Sequence, residues 1–234
     1  GCPPNDPGSR STVWEGPTWG IPVYSAPMAI AMAPQAVLEE LGQPYDLKMV
    51  DVYSGAPPDW YRKLNPYGRV PTLVRGDFVL FEAAAICMHL CDRHPEAGLA
   101  PVPGTAERGW FYQWLLFLAS AVHPATKQIN YPHRCSAEDS DRPAVLDAGA
   151  EICAEMYARL EAALDPGPYL LGGRFSAADL YLATLASWRA DLEHKTSRSF
   201  GNFPRLDEHL FRMTEDTGFG KVLAFHEAAW KKAS

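Results

Sequence analysis

The sequence has no long hydrophobic run and no excess of positive charge. None of its apolar stretches approaches the roughly 18 residues of a membrane-spanning helix, so we expect no membrane partner. Its 234 residues include 21 Lys and Arg against 28 Asp and Glu, a formal net charge of −7. Because nucleic-acid binding needs a basic face, this balance argues against a nucleic-acid partner. The N-terminus lacks a basic segment followed by an apolar core, so we expect no secretory signal.

The five cysteines lack the spacing of a disulfide framework. Cys87 and Cys91 lie four residues apart in a helical pattern, so they share one face of the helix. We therefore interpret them as small apolar core residues in a reducing compartment, expect no metal, and predict a cytoplasmic protein.

Composition and hydrophobic periodicity divide the chain into three parts. Residues 1–20 are rich in Pro, Gly, Ser and Asp and have no periodicity, which predicts an irregular arm. Residues 21–96 show strand and helix patterns in the order β-α-β-(α)-β-β-α, with the second strand over 45–52. This order predicts a mixed sheet covered by helices. A segment rich in Pro and Gly follows, and residues 104–234 show only helical periodicity.

The third part contains several predicted helices. The first is long and amphipathic, with apolar residues recurring from Trp110 to Val122. Ser176 and Asp179 have the spacing of a capping box, which predicts the start of a helix that continues to about Arg189. Further helices are predicted over residues 142–164, 204–215 and 220–232.

Two short segments predict a binding site for a small molecule that carries a carboxylate. In Asn65-Pro-Tyr-Gly-Arg-Val70-Pro71, a turn precedes a proline at the start of a strand. A cis Val70–Pro71 bond would leave the backbone N–H and C=O of Val70 open to a ligand. Glu82 and Ala83 then begin a helix, whose free N–H groups can hold an anion. The alternative is a proline turn leading into an ordinary surface hairpin.

Four segments of the chain resemble those of the bacterial, beta-type glutathione S-transferases. They are Tyr24–Gly42, the proline loop Asn65–Leu73, the helix start Glu82–Ile86, and the helix-capping segment Gly173–Asp179. They occur in the family's order and at its spacing. The resemblance implies an α/β plus all-α fold, in which a thioredoxin-like N-terminal domain precedes an all-helical C-terminal domain, and it implies a homodimer.

The resemblance also implies that glutathione binds as a co-substrate. The backbone of Val70 would pair with the cysteinyl part, beside Pro71 as the cis proline. Glu82 and the N–H of Ala83 would hold the γ-glutamyl amine and carboxylate. The family has a serine where this chain has Ala83, so we expect one hydrogen bond fewer to the glutamyl carboxylate.

Thiol chemistry needs a group that stabilises the thiolate, because a free thiol ionises only near a pH of about 8.5. The beta-type catalytic cysteine falls on Ile30, which can neither form a mixed disulfide nor donate a hydrogen bond. A nearby family tyrosine falls on Ser25, which we predict to be the catalytic hydroxyl donor. The alternative for Ser25 is a local serine turn before Pro27.

The remaining candidates would face the second substrate. In beta-type enzymes a histidine at the position of His123 faces the active site, so His123 is predicted to assist proton transfer or to pair with an anionic group. The residues predicted to line a pocket for a hydrophobic electrophile are aromatic: Tyr24, Trp110, Trp114 and Trp188. Core packing is the alternative for each, above all for Tyr24, which points to the opposite face of its strand from Ser25.

The function predicted from these residues is that of a glutathione transferase that adds the glutathione thiolate to a hydrophobic electrophile. A glutathione-dependent isomerase or lyase needs the same thiolate. Ile30 and Ala83 favour an alternative from another class, a catalytically silent binding protein with the glutathione-transferase fold. A third possibility is a scaffold turned to glutathione-independent chemistry, with Ser25 or His123 as acid or base.

Overall fold

The computed structural model describes residues 20–54 and 56–233. The four strands are β1 (Ile21–Ser25), β2 (Tyr45–Met49), β3 (Thr72–Arg75) and β4 (Phe78–Phe81). Three helices accompany them: α1 (Met32–Glu40), α2 (Asp59–Leu64) and α3 (Ala83–Arg93). The later helices are α4 (Ala106–Phe117), α5 (His123–Asn130), α6 (Arg142–Ala163), α7 (Ala177–Ala186), α8 (Arg189–Thr196), α9 (Pro204–Asp216) and α10 (Phe219–Ala233). The predicted arm, residues 1–20, lies outside the described residues except for Gly20.

The strands form one mixed sheet in the order β2-β1-β3-β4, which confirms the predicted fold class. β1 is parallel to β2 and antiparallel to β3, and β3 is antiparallel to β4. Thr72 pairs with Tyr24 on one side and with Phe81 on the other. Ser25 and Glu82 come directly after Tyr24 and Phe81, and Pro71 comes directly before Thr72 on the antiparallel strand between them. The three residues therefore lie side by side across one end of the strands, here called the sheet edge.

The second strand is shorter than the predicted range 45–52. It ends at Met49, and the N–H of Val50 donates a last hydrogen bond of 2.8 Å to the C=O of Ser25. Ser25 is also the last residue of β1. Because β2 is an edge strand with β1 as its single neighbour, it has no partner beyond this point.

The predicted long helix continues further than its apolar pattern suggested. α4 passes through a π-helical turn over 118–122 into α5, so His123 lies at the start of α5 and not near the end of the helix. Pro124 has no N–H to donate to the preceding turn, and a π turn is a common way to accommodate a missing bond of this kind. The helix predicted to continue to about Arg189 ends at Ala186, and the Ser187 hydroxyl donates to the C=O of Thr184. A separate helix, α8, which the sequence did not predict, begins at Arg189.

The predicted capping box at the start of α7 is confirmed. Asp179 is fully buried and accepts hydrogen bonds from the N–H and the hydroxyl of Ser176, both at 2.9 Å. Its other oxygen accepts from the N–H of Leu170 at 2.8 Å and lies 3.2 Å from Nε2 of His209. A single carboxylate thereby joins the start of α7 to α9 and to the preceding loop.

Both parts of the chain contribute to one hydrophobic core. α1 packs against α3 within the first part and against α7 and α10 of the second. Leu38, Ile86, Leu182 and Val222 belong to the same buried cluster. The sheet edge that carries Ser25, Pro71 and Glu82 is thus fixed by helices from both parts. Among residues 20–54 and 56–233, no helix combines the length and apolar character that crossing a bilayer requires.

Candidate functional site

The proline loop presents an unpaired main-chain segment at the sheet edge. The Val70–Pro71 bond is cis, as the resemblance implied. Within the described part of the chain, neither the N–H nor the C=O of Val70 has a hydrogen-bond partner. Val70 is partly buried and packs against a small cluster of Ala26, Ala29 and Ala31 from the segment between β1 and α1. The loop can therefore offer one donor and one acceptor to an extended ligand.

A buried polar network holds this loop from beneath. The C=O of Arg69 accepts a hydrogen bond of 2.7 Å from the hydroxyl of Tyr61 and another of 2.7 Å from the amide of Asn65. The Tyr61 hydroxyl also lies 2.8 Å from Oγ1 of Thr72. Because these groups bind the residue before Val70, they fix the loop without using the groups of Val70 itself. Sequence analysis missed Tyr61, which no motif distinguishes from an ordinary core tyrosine.

Glu82 lies beside Pro71 and has an unusual backbone conformation. Its φ is +74° and its ψ is 113°, although it is not a glycine. A conformation of this kind costs on the order of 1–3 kcal/mol and is concentrated at functional sites. No side chain of the described part of the chain caps α3, and the amide groups of Ala83 and Ala84 precede the first intrahelical hydrogen bonds. The exposed carboxylate of Glu82 and the positive end of α3 together suit a ligand with an amine and a carboxylate.

The segment between β1 and α1 has no polar side chain over residues 26–31. Ser25 precedes it and has no exposed surface, and its hydroxyl lies 3.4 Å from the C=O of Ala26. Ser25 lies at the sheet edge as expected, but its enclosed hydroxyl would reach a ligand only in a different conformation. The N–H of Ile30 has no acceptor among the described residues, and Ile30 is 7% exposed.

Two side chains that sequence analysis missed hold this segment in place. The hydroxyl of Tyr53 donates to the C=O of Pro27 at 2.8 Å. The N–H of Met28 donates to Nδ1 of His226, on α10, at 3.2 Å. Met28 has a φ of +51°, which is rare for a residue with a side chain. No sequence motif indicates either contact. Tyr53 is 26 residues away from Pro27, and His226 is 198 residues away from Met28.

His123 lies in a half-buried position near the proline loop and carries no charge at neutral pH. Burial, and then the charges of Lys127 and Arg69, lower its pKa to about 3. Such an imidazole is a weak base and cannot supply a positive charge to an anionic group. The pKa of Lys127 is also lowered, first by burial and then by Arg69, and Glu82 opposes that shift. These couplings place His123 and the two cations around the end of the site that Glu82 occupies.

The four predicted pocket aromatics do not form one cluster of ring contacts in the described residues. Tyr24 packs against the rings of Trp60 and Tyr61, at 5.7 and 5.5 Å, which agrees with the core alternative. The ring of Trp188 lies 5.8 Å from that of His123, so it borders the region of the loop. The other two lie on α4: Trp110 is 55% exposed, and Trp114 packs against Phe117.

Comparison with known proteins assigns both parts of the chain to the same family. The model of the glutathione S-transferase N-terminal domain matches residues 24–98, and that of the C-terminal domain matches residues 143–210. The GST-like protein YncG of Escherichia coli is 31% identical over 178 residues, which cover 75% of this chain and 80% of that protein.

Comparison with solved structures leads to the same family. The structure of a sphingomonad glutathione S-transferase complexed with glutathione has a TM-score of 0.76 and 26% identity, covering 88% of this chain and 98% of that one. A bacterial beta-class glutathione S-transferase from Sphingomonas chungbukensis has a TM-score of 0.76 and 27% identity over the same shares of the two chains. With its fold, its cis-proline edge and its matches to both domains, the chain belongs to the glutathione S-transferase family.

Proposed function

We propose that the protein binds glutathione along the sheet edge and transfers it to a hydrophobic electrophile. The main chain of Val70 pairs with the cysteinyl unit beside Pro71. The carboxylate of Glu82 takes the γ-glutamyl ammonium, and the N–H of Ala83 takes the γ-glutamyl carboxylate. The observation that carries the proposal is the alignment of unpaired Val70 groups with the strained Glu82 and the uncapped end of α3.

The thiolate in this proposal is stabilised by main-chain groups at the start of α1. The segment over 26–31 has no polar side chain, while the N–H of Ile30 has no acceptor within residues 20–54 and 56–233 and precedes a helix whose N-terminal end is positive. The thiolate sulfur forms a bond to the electrophilic carbon with its own electron pair. The leaving group departs with the electrons of the broken bond, or the adduct takes a proton from water.

The electrophile would bind on the helical side of the cleft. His123 and Trp188 border that side, and both present largely apolar surface because the imidazole is neutral. An isomerase or lyase would use the same thiolate and the same pocket. The silent alternative is not favoured, since structural neighbours include a transferase complexed with glutathione.

We further propose a cytoplasmic homodimer. Phe78 is 44% exposed on the edge strand β4, with its ring 5.0 Å from that of His89, and a partner subunit would cover it. The cysteines of the described residues are all free thiols, as in a reducing compartment. Light scattering of the purified protein should give twice the chain mass, and Phe78→Lys should shift the protein towards the monomer. A monomeric wild-type protein would refute this assembly.

Calorimetric titration with glutathione tests the proposed function. We expect binding at millimolar concentration or tighter for glutathione, and binding weaker by about tenfold or more for the isomer with an α-glutamyl linkage, which displaces the amine from Glu82. Glu82→Gln should cause a loss of the same order, while Glu96→Gln, on an exposed turn elsewhere, should cause none. No detectable heat with glutathione, or equal affinity for the two isomers, would refute the proposal.

A further inference from the structure

The histidine on α10 that holds Met28 belongs to a continuous chain of hydrogen bonds. Nε2 of His226 lies 2.8 Å from Oε1 of Gln35, on α1. The Gln35 amide donates to the hydroxyl of Tyr45 at 3.0 Å, and that hydroxyl donates to the carboxylate of Glu39 at 2.6 Å. This series of hydrogen bonds thus runs from the surface at β2, through the interior, to the segment where a thiol would bind.

The Met28 N–H at one end can only donate and the Glu39 carboxylate at the other can only accept, so the direction of the hydrogen bonds between them is determined. The N–H of Met28 can only donate, so Nδ1 of His226 accepts and its Nε2 carries the proton to Gln35. Burial lowers the pKa of His226 to about 4, against a hydrogen bond to the main chain of Ala26 that raises it, so the ring is neutral at neutral pH. Burial and the bond to Glu39 raise the pKa of Tyr45 to about 12, so its hydroxyl stays a donor.

We propose that His226 is a positioning residue for thiol activation, because its bond to the N–H of Met28 keeps the main chain turned so that the N–H of Ile30 points at the bound thiol. Gln35 and Tyr45 orient the imidazole of His226 from behind. This inference rests on the proposed function, since it concerns the thiol of bound glutathione.

Strain at Met28 is the physical reason that a remote histidine is needed. A φ of +51° is unfavourable for a side chain such as methionine, and a free segment would relax towards negative φ. A buried N–H that loses its acceptor adds a further penalty. His226 has no exposed surface and Gln35 is 3% exposed, so the acceptor side of this partly buried bond is closed to water.

The test measures the pKa of the glutathione thiol on the enzyme, from the ultraviolet absorbance of the thiolate and from the pH profile of kcat/KM. In His226→Leu we expect the thiol pKa to rise by about one unit and kcat/KM at neutral pH to fall about tenfold, with the Kd for glutathione nearly unchanged. His226→Asn keeps an acceptor close to the place of Nδ1 and should retain most of the wild-type value.

Two further variants separate positioning from general destabilisation. Met28→Gly in the His226→Leu background should restore much of the thiol pKa, because glycine adopts positive φ without strain. Val222→Ala lies on the same helix, α10, is equally buried, and takes no part in the chain of hydrogen bonds. It should lower the melting temperature and leave the thiol pKa unchanged.

An unchanged thiol pKa in folded His226→Leu, or an equal shift in Val222→Ala, would overturn the inference. If His226→Leu does not fold, Tyr45→Phe decides: it removes the hydroxyl that accepts from the Gln35 amide, and we expect a smaller rise of the thiol pKa, so no rise would overturn the inference. Failure of the proposed function is distinct, because the wild-type protein would then bind no glutathione or show no thiolate with it.

Discussion

At the scale of single residues, the site combines two apolar replacements with two strained backbones. Ile30 and Ala83 stand where the family's chemistry uses polar side chains, as the resemblance implied. Glu82 and Met28 have positive φ, and each borders the groups that would contact the ligand. The main chain must therefore supply hydrogen bonds that side chains supply elsewhere in the family. Restoring the hydroxyl at position 83 should have a measurable effect on glutathione binding.

Ala83→Ser should tighten glutathione binding. The new hydroxyl lies at the first residue of α3 and can donate to the glutamyl carboxylate, a bond worth roughly 1.5–3 kcal/mol because its acceptor is charged, or about tenfold or more in Kd. Calorimetry would measure it. Ala84→Ser is the matched control, since its side chain points about 100° further around the helix and should bring no gain. An unchanged Kd in Ala83→Ser would mean that the glutamyl carboxylate does not bind there.

Ser25→Ala tests the hydroxyl predicted from the sequence. Because Ser25 has no exposed surface, we expect turnover with a model electrophile to change by less than about threefold. Steady-state kinetics at saturating glutathione would measure kcat. A loss of tenfold or more in kcat, with the Kd for glutathione unchanged, would instead make the Ser25 hydroxyl the thiolate donor and would require the segment 26–31 to open.

At the scale of elements, helix starts and loops are held by single buried polar side chains. Asp179 serves α7, the preceding loop and α9 at once. Asn65 serves the proline loop through the C=O of Arg69 and Oγ1 of Thr72. Each of these side chains is almost completely buried, so removing one leaves several donors or acceptors without water.

Asp179→Ala should cost roughly 3 kcal/mol or more in the free energy of unfolding, because the buried donors of Ser176 and Leu170 lose their acceptor. Urea unfolding monitored by circular dichroism would measure it. Asp191→Ala removes an exposed aspartate that pairs with Lys195 one turn along α8, and it should cost no more than about 0.5 kcal/mol. Similar losses in the two variants would show that the capping network contributes little.

At the scale of the whole molecule, α10 returns to the first part of the chain and completes the site. It supplies His226 to the segment after β1, and its neighbour Gly218 donates an N–H to the carboxylate of Glu40 on α1. The geometry of the proposed binding site and the stability of the whole fold therefore depend on the same interface, the one between α10 and the first part of the chain. Its buried, neutral histidine also makes the stability of the fold depend on pH.

Stability should fall as the pH drops below about 6.5. The pKa of His226 is about 4 in the folded protein against 6.5 for an unperturbed histidine. Between these values the unfolded chain binds a proton that the folded chain does not, so the free energy of unfolding decreases by roughly 3 kcal/mol over the window. Urea unfolding between pH 7.5 and 5.5 should show a shallower decrease for His226→Asn than for the wild type. Equal slopes in the two proteins would contradict this.

The sequence by itself determined the fold class and most of the sheet edge that we propose to bind glutathione. Alternating strand and helix patterns give the mixed sheet, and turn residues with Pro71 give the loop, because these signals are local in the chain. The capping box at Ser176 and Asp179 is local as well. The family resemblance extended this to Glu82 and Ala83, which strand register then brought beside Pro71.

Only the tertiary structure decided what surrounds the thiol. The sequence places the Ser25 hydroxyl next to this position, but whether it is open or enclosed depends on how the segment after it packs against Val70 and α10. His226 acquires its role from a contact across 198 residues, for which periodicity and propensity contain no information. The same holds for the pKa of His123, since burial between elements, and not the residue type, sets its charge.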